Sequence, residues 1–209
     1  MTGGNMHPYT IDTNERIYTI FFIAIVSILL SYYINFKLIQ LDIAFPWWAE
    51  SPSVLFLFWL LYSLYDNVLW KFFSTIGLSK IPIIDGNWHC TGYSSYDNYK
   101  FESKVSVKQR WSKIRITFRG DFSYSYSIAA SILLNAPDSD LPLLIYVYWN
   151  IPNPDAKRTM HPHRGTTILF LSDEYLEGEY YSGRDRQNYG KIRLEKEKSN
   201  SKNHSFLVT

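Results

Sequence analysis

Residues 17–34 (IYTIFFIAIVSILLSYYI) run for 18 positions without a charge, and a second aromatic-rich apolar stretch follows at 54–73. As a helix rising ~1.5 Å per residue, the first run reaches about 27 Å, close to a hydrocarbon core of ~30 Å. A cleaved signal peptide would carry a basic leading region and a small-x-small site. Here Asp12, Glu15 and Arg16 mix the charges and no such site follows the run. The run therefore reads as a membrane anchor.

The second stretch is less uniform. Residues 54–61 are purely apolar, but Tyr62, Ser63, Tyr65, Asp66 and Asn67 follow before Val68, Leu69 and Trp70. An aspartate at mid-membrane costs ~2.5–3.5 kcal/mol on insertion scales. Asp66 therefore sits near the interface, or it joins Ser63 in facing another helix, where hydrogen bonds hold an oligomer together. Ala24, Ser27 and Ser31 lie three and four apart on the first helix. They make a small-residue face for membrane or oligomer contact. Phe45, Pro46, Trp47 and Trp48 in the connector suit the headgroup level. Arg16, Lys71 and Lys80 flank the outer ends against Lys37 in the connector, so the positive-inside rule puts both termini in the cytoplasm.

Beyond about residue 80 the apolar period changes to two, which is the strand signature. Strands are expected near 86–93, 101–110, 114–119, 122–128, 142–151, 164–171, 175–184 and 189–196, with Gly, Pro, Asn and Asp in the turns between. No helical run separates them, so the sheet is antiparallel. About eight short strands fit a small closed barrel, with a two-sheet sandwich as the alternative. An outer-membrane barrel is excluded because one face carries Glu102, Lys104, Lys108, Arg110, Lys191, Arg193 and Glu195. The expected fold is a membrane protein with two N-terminal transmembrane helices (1–80) and a soluble β-barrel sensing domain (81–209).

Alternation assigns the barrel interior. With Glu177 and Glu179 in solvent, Leu176, Gly178, Tyr180, Ser182 and Arg184 face inward. Trp88, Tyr124 and Tyr126 are given the same parity, and Thr166 is a hydroxyl candidate on its strand. Aromatic faces stack on bases and guanidinium pairs with phosphate. The candidate ligand-binding residues are thus Trp88, Tyr124, Tyr126, Thr166, Tyr180, Arg184 and Arg186, the last in the turn at the mouth. A packed core of the same aromatics is the competing reading.

Catalytic chemistry finds no constellation. His161 and His163 lack ligand-spaced company, His89 and Cys90 point to opposite faces of a strand, and no phosphate loop or nucleophile elbow occurs. Neither an enzyme, a metal nor a cofactor is expected. A net charge of +2 is too small to imply binding to a nucleic-acid polymer.

The chain also resembles a known family, the two-transmembrane, β-strand-rich effectors of bacterial CBASS anti-phage systems, associated with CD-NTase enzymes. The resemblance rests on two N-terminal spans, on Asp85-Gly-Asn-Trp88, on Arg164-Gly-Thr-Thr167 and on residues 176–193 (LEGEYYSGRDRQNYGKIR). It implies a cytoplasmic eight-stranded barrel that binds a cyclic dinucleotide made by a partner nucleotidyltransferase. It also implies ligand-promoted homo-oligomerisation, disruption of the inner membrane and death of the infected cell. Two other readings stay open: a membrane-anchored, lipocalin-like carrier or sensor of a small apolar ligand, and a structural module that docks a partner protein.

Overall fold

The computed structural model describes residues 5–42, 47–137, 139–154, 156, 161–183 and 187–197; for 47–52 only the backbone is described. Strand β1 (His7–Ile11) precedes helix α1 (Glu15–Gln40). Helix α2 (Trp47–Leu64) passes through a π-helical turn (Tyr65–Leu69) into α3 (Trp70–Thr75). Eight strands follow: β2 (Gly86–Ser94), β3 (Tyr99–Gln109), β4 (Lys113–Arg119), β5 (Ser123–Leu133), β6 (Leu143–Pro152), β7 (His163–Leu171), β8 (Tyr175–Ser182) and β9 (Tyr189–Lys196). The eight expected strands are all present, and the sandwich alternative is excluded by closure of the sheet.

Glu15–Gln40 and Ser53–Thr75 are long and apolar enough to cross a membrane. Their outer faces bear exposed Phe21, Phe22, Ile25, Leu29, Leu55, Phe56 and Trp59, surface that water would disfavour and lipid accepts. The second span runs back along the first. Ser31 Oγ lies 3.1 Å from Ser53 Oγ, Ile23 clusters with Leu61 and Tyr65, and Ser79 donates to the Glu15 carboxylate. Ser27 is fully buried, with its hydroxyl donating 2.7 Å to the Ile23 carbonyl. Ser27 and Ser31 thus turn toward the second span within the chain, and Ala24 beside them is half-buried. Phe45 and Pro46, and the side chains of Trp47 and Trp48, lie outside the described residues.

Around the barrel the order is β1-β4-β3-β2-β9-β8-β7-β6-β5, closed by a direct β4–β5 pairing. The ninth strand was not expected, because a five-residue HPYTI segment before a long apolar run carries no period of its own. β4 and β5 pair only over Thr117–Arg119 and Tyr124–Tyr126. Where they part, β1 fills the seam, antiparallel to β4 and parallel to β5 through Tyr9↔Ala130, Thr10↔Ser131 and Ile11↔Ile132. Its backbone groups would otherwise leave two strand edges open. The barrel thus draws one strand from upstream of the helices.

The barrel is packed at one end and open at the other. Trp88, Cys90, Val107, Ile114, Ile116, Ile132, Leu144, Leu169, Leu176 and Leu194 fill the end nearest the helices, all with under a tenth of their surface exposed. Below that floor lies a polar collar. Asp66, buried in the π turn, accepts 2.7 Å from the Ser112 amide through Oδ1 and 3.1 Å from the Trp111 amide through its carbonyl. Tyr65 and Tyr62 meet the Trp111 ring edge-on at 5.1 and 6.1 Å. Arg16 donates to the carbonyls of Tyr9 and Trp111, and its guanidinium lies 4.4 Å from the Tyr9 ring centroid. Within the chain the Asp66 carboxylate serves the β3–β4 turn. Ser63 is half-buried one turn earlier and takes Asn67 as its neighbour, through a 2.7 Å bond to its carbonyl.

Candidate ligand-binding site

At the open end, remote from the collar, the barrel holds a cavity of about 430 Å³. That is within the range of small-molecule sites. Its walls are built by alternation: inward positions at the β2 end (Ser94), β3 start (Phe101), β4 end (Phe118), β5 start (Ser125), β6 end (Tyr146, Tyr148, Asn150), β7 start (His163, Thr167) and β8 end (Tyr180). The mouth turns hold these strands in register. In the β2–β3 turn Asp97 and Asn98 both adopt left-handed backbone (φ 54° and 50°), and the Tyr99 amide closes on the Tyr96 carbonyl. This is the two-residue hairpin geometry that suits Asp and Asn.

The space exists because three inward rings lie flat on glycines. Phe101 pairs directly with Gly92, Tyr148 with Gly165 and Tyr180 with Gly190. A Cβ on any of the three glycines would fall inside the facing ring. Each ring therefore leans across the neighbouring strand instead of crossing the lumen, which is the known use of glycine beneath a cross-strand aromatic. Phe101 is met edge-on by Phe118 and Tyr180 at 6.0 and 6.3 Å, a T-shaped cluster on one side of the cavity.

The opposite wall is polar. Burial pushes the Tyr146 phenol far above its ordinary range, partly offset by its hydrogen bond with Thr167, so it stays protonated. His163 Nδ1 lies 2.9 Å from the His161 carbonyl and donates to it. Asn150 sits between Ser125 and His163, its direct partners on the two flanking strands. Asp97, Glu102 and Asp121 stand among the outer lining, and the described lining contains no lysine or arginine.

The sequence-derived candidates divide. Tyr180 lines the cavity as expected. Trp88 faces inward but belongs to the packed floor, 2% exposed, with Nε1 donating 3.0 Å to the Ile84 carbonyl. Tyr124 and Tyr126 do not face inward as alternation suggested. They pair with Arg119 and Thr117 on the outer surface, where the Arg119 and Arg115 guanidiniums lie 6.0 and 4.9 Å from their rings. The inward side chains there are Ser125 and Ser127, both buried. A bulge between Ser127 and Ala129 then shifts the inward parity to even positions, so Ile132 is buried. Thr166 likewise points outward opposite Tyr181, while Thr167, opposite inward Tyr180, is 2% exposed. Arg184 and Arg186 lie outside the described residues.

Sequence reasoning passed over Phe101, Tyr148, Asn150, His163 and Thr167. For Phe101 and Tyr148 the signal that could have found them is an inward aromatic facing a glycine on the next strand, once Tyr180 and Gly190 fixed the register.

Residues 79–196, the helix-to-barrel connection and β2–β9, match the family model described as Cap15, cyclic dinucleotide receptor domain. The chain belongs to the Cap15 receptor family. The matched segment begins after the helices, so β1 lies outside it although it completes the Cap15 barrel here. Among relatives, CD-NTase-associated protein 15 of Yersinia aleksiciae is 28% identical over 137 residues, 64% of each chain. CD-NTase-associated protein 15 of Staphylococcus schleiferi is 27% identical over 133 residues, 63% of this chain and 70% of the relative. The match thus spans just under two thirds of the Yersinia protein.

Proposed function

We propose that this chain is a CBASS anti-phage effector whose barrel cavity binds a cyclic dinucleotide. In this reading a partner CD-NTase supplies the ligand after infection, and binding promotes self-association of the chain in the inner membrane. Both termini and the barrel occupy the cytoplasm, and the clustered helices then breach the bilayer and end the infected cell. The observation that carries the reading is a cavity of about 430 Å³, walled by aromatic rings on one side and hydroxyl, amide and imidazole groups on the other, inside the segment matched by the receptor family. Rings offer stacking to bases, and polar groups offer hydrogen bonds to their edges. Association would then raise the local concentration of tethered helices without any new contact between them.

The test uses the full chain reconstituted into dye-loaded vesicles of phosphatidylethanolamine and phosphatidylglycerol. Cyclic di-AMP, cyclic di-GMP, cyclic di-UMP and cyclic UMP–AMP are added separately from the barrel side. At least one should bind and release dye. Binding without leakage would remove the membrane step, and no binding by any of them would remove the reading altogether.

A second reading, a carrier or sensor of a small apolar ligand, is favoured by one observation: the described lining carries aromatic rings and no lysine or arginine. It predicts that a fatty acid or other uncharged apolar probe displaces solvent from the cavity, and that cyclic dinucleotides leave the protein unaffected. A purely structural docking module is disfavoured by the presence of the cavity.

A further inference from the structure

Among the described residues, the buried side-chain polar atoms that lack a hydrogen-bond partner fall into two places. Thr13 Oγ1, Arg16 Nε, Trp70 Nε1 and Trp111 Nε1 belong to the collar region and the helices above it; Ser103 Oγ and Asn150 Nδ2 belong to the barrel. Ser103 lies against Cys90 in the interior and does not line the cavity; Asn150 does. Asn150 is 6% exposed, yet its amide nitrogen donates to nothing. A buried donor left without a partner is costly, and native folds carry few such groups.

We propose that Asn150 is the residue that reads the ligand, its amide nitrogen donating to a carbonyl or ring nitrogen on the edge of a nucleobase. This rests on the reading of the cavity as a cyclic dinucleotide site and deepens it. Asn150 lines the cavity, so a turn of the amide about its last bond carries the donor to a ligand there. The surroundings select a base over a phosphate. Ser125, Tyr146, Tyr148 and His163 form the adjacent wall, with no lysine or arginine among the described lining to offset a desolvated anion. The T-shaped Phe101, Phe118 and Tyr180 cluster across the cavity has only ring faces, edges and one phenol to offer. One base is therefore recognised by hydrogen bonding at Asn150, and the other is held by stacking.

The experiment compares wild type, Asn150→Leu and Asn150→Ser as full chains in detergent, measuring thermal midpoint without ligand and Kd for whichever of the four cyclic dinucleotides binds wild type. Leu has nearly the shape of Asn and removes the orphan donor, so its ligand-free midpoint should equal or exceed that of wild type. Its Kd should weaken about 10- to 100-fold, as expected when a site loses a hydrogen bond and leaves the ligand atom unpaired. Ser keeps a hydroxyl that is too short to reach, and should show the same loss if Leu fails to fold. A lowered midpoint with Kd within twofold of wild type in both variants would make the amide structural and overturn the proposal. Failure of wild type to bind any of the four would instead overturn the cyclic dinucleotide reading, and this inference with it.

Discussion

Replacing Asp66 tests how the barrel is fastened to the helices. The Ser112 amide donates 2.7 Å to Asp66 Oδ1, and Asp66 is only 7% exposed. A hydrogen bond to a charged acceptor contributes about 1.5–3 kcal/mol. Asp66→Leu removes the acceptor and strands the amide against an apolar side chain. Local opening of the β3–β4 turn should become easier by that amount, so protection of the Ser112 amide against hydrogen exchange falls about 10- to 100-fold. Asp66→Asn keeps an oxygen in place and trades a charged bond for a neutral one, a loss of about 1 kcal/mol or about fivefold. The Trp111 amide, bound to the Asp66 carbonyl, and the Trp111 ring, wedged between Tyr62 and Tyr65, should hold the turn near its place in both variants. Exchange is read by mass spectrometry on the full chain in detergent, with Ile116 as the internal reference. Its amide donates to Ser127 Oγ in the packed floor and should be unaffected. Unchanged protection at Ser112 in Asp66→Leu, or an equal loss at Ile116, would refute a local fastening by this carboxylate.

Other outcomes follow from the same contacts. Burial raises the Asp12 carboxyl, but hydrogen bonds from the Leu134 and Asn135 amides outweigh it and hold the group below its ordinary 3.8. Its contribution to tying β1 down is therefore complete above pH 3.8 and lost as the pH falls through the lower folded value; an NMR titration of the Asn135 amide with its midpoint at or above 3.8 would contradict this. Burial pushes the Cys90 thiol to about 11, slightly opposed by the neighbouring Ser103 hydroxyl. At pH 8 about a thousandth is thiolate, so a disulfide reagent should label Cys90 only after unfolding, and prompt stoichiometric labelling of the native chain counts against the buried assignment. Gly165→Ala would drive a methyl into the Tyr148 phenol, and should cost about 1–3 kcal/mol on unfolding, whereas Gly77→Ala meets no atom within 4 Å and tests only its left-handed backbone (φ 78°). Trp88→Phe should lower the thermal midpoint without altering ligand affinity, because the ring belongs to the floor; a selective loss of affinity would move Trp88 into the site.

The helices and the eight post-helical strands were legible because each has a strong period: charge-free length in one case, alternation between polar and apolar residues in the other. Inward parity was legible on β8, where Glu177 and Glu179 exclude themselves from the interior. It failed on β5, where apolarity points the wrong way. Outer tyrosines are covered by Arg115 and Arg119, the inner Ser127 accepts from the Ile116 amide, and the bulge after Ser127 reverses the pattern midway. Apolar character marks the interior only where the outer face lies bare in water. β1 was invisible for a different reason: five residues inserted between two distant strands are specified by the gap they fill. Asn150 carried no local signal either, since its meaning comes from a missing partner that only three-dimensional packing reveals.

The position of β1 sets an order of assembly. His7 bonds to Ser127, 120 residues downstream, so the seam stays unsealed until β5 has been synthesised. Both spans emerge well before that point and can enter the bilayer while the sheet is still incomplete. Closure then recruits a segment already tethered to the first apolar helix. A receptor released from the ribosome without its anchor in place would lack a fixed end for that final strand. Sealing of the cylinder thus joins a segment from upstream of both spans to a strand made after them.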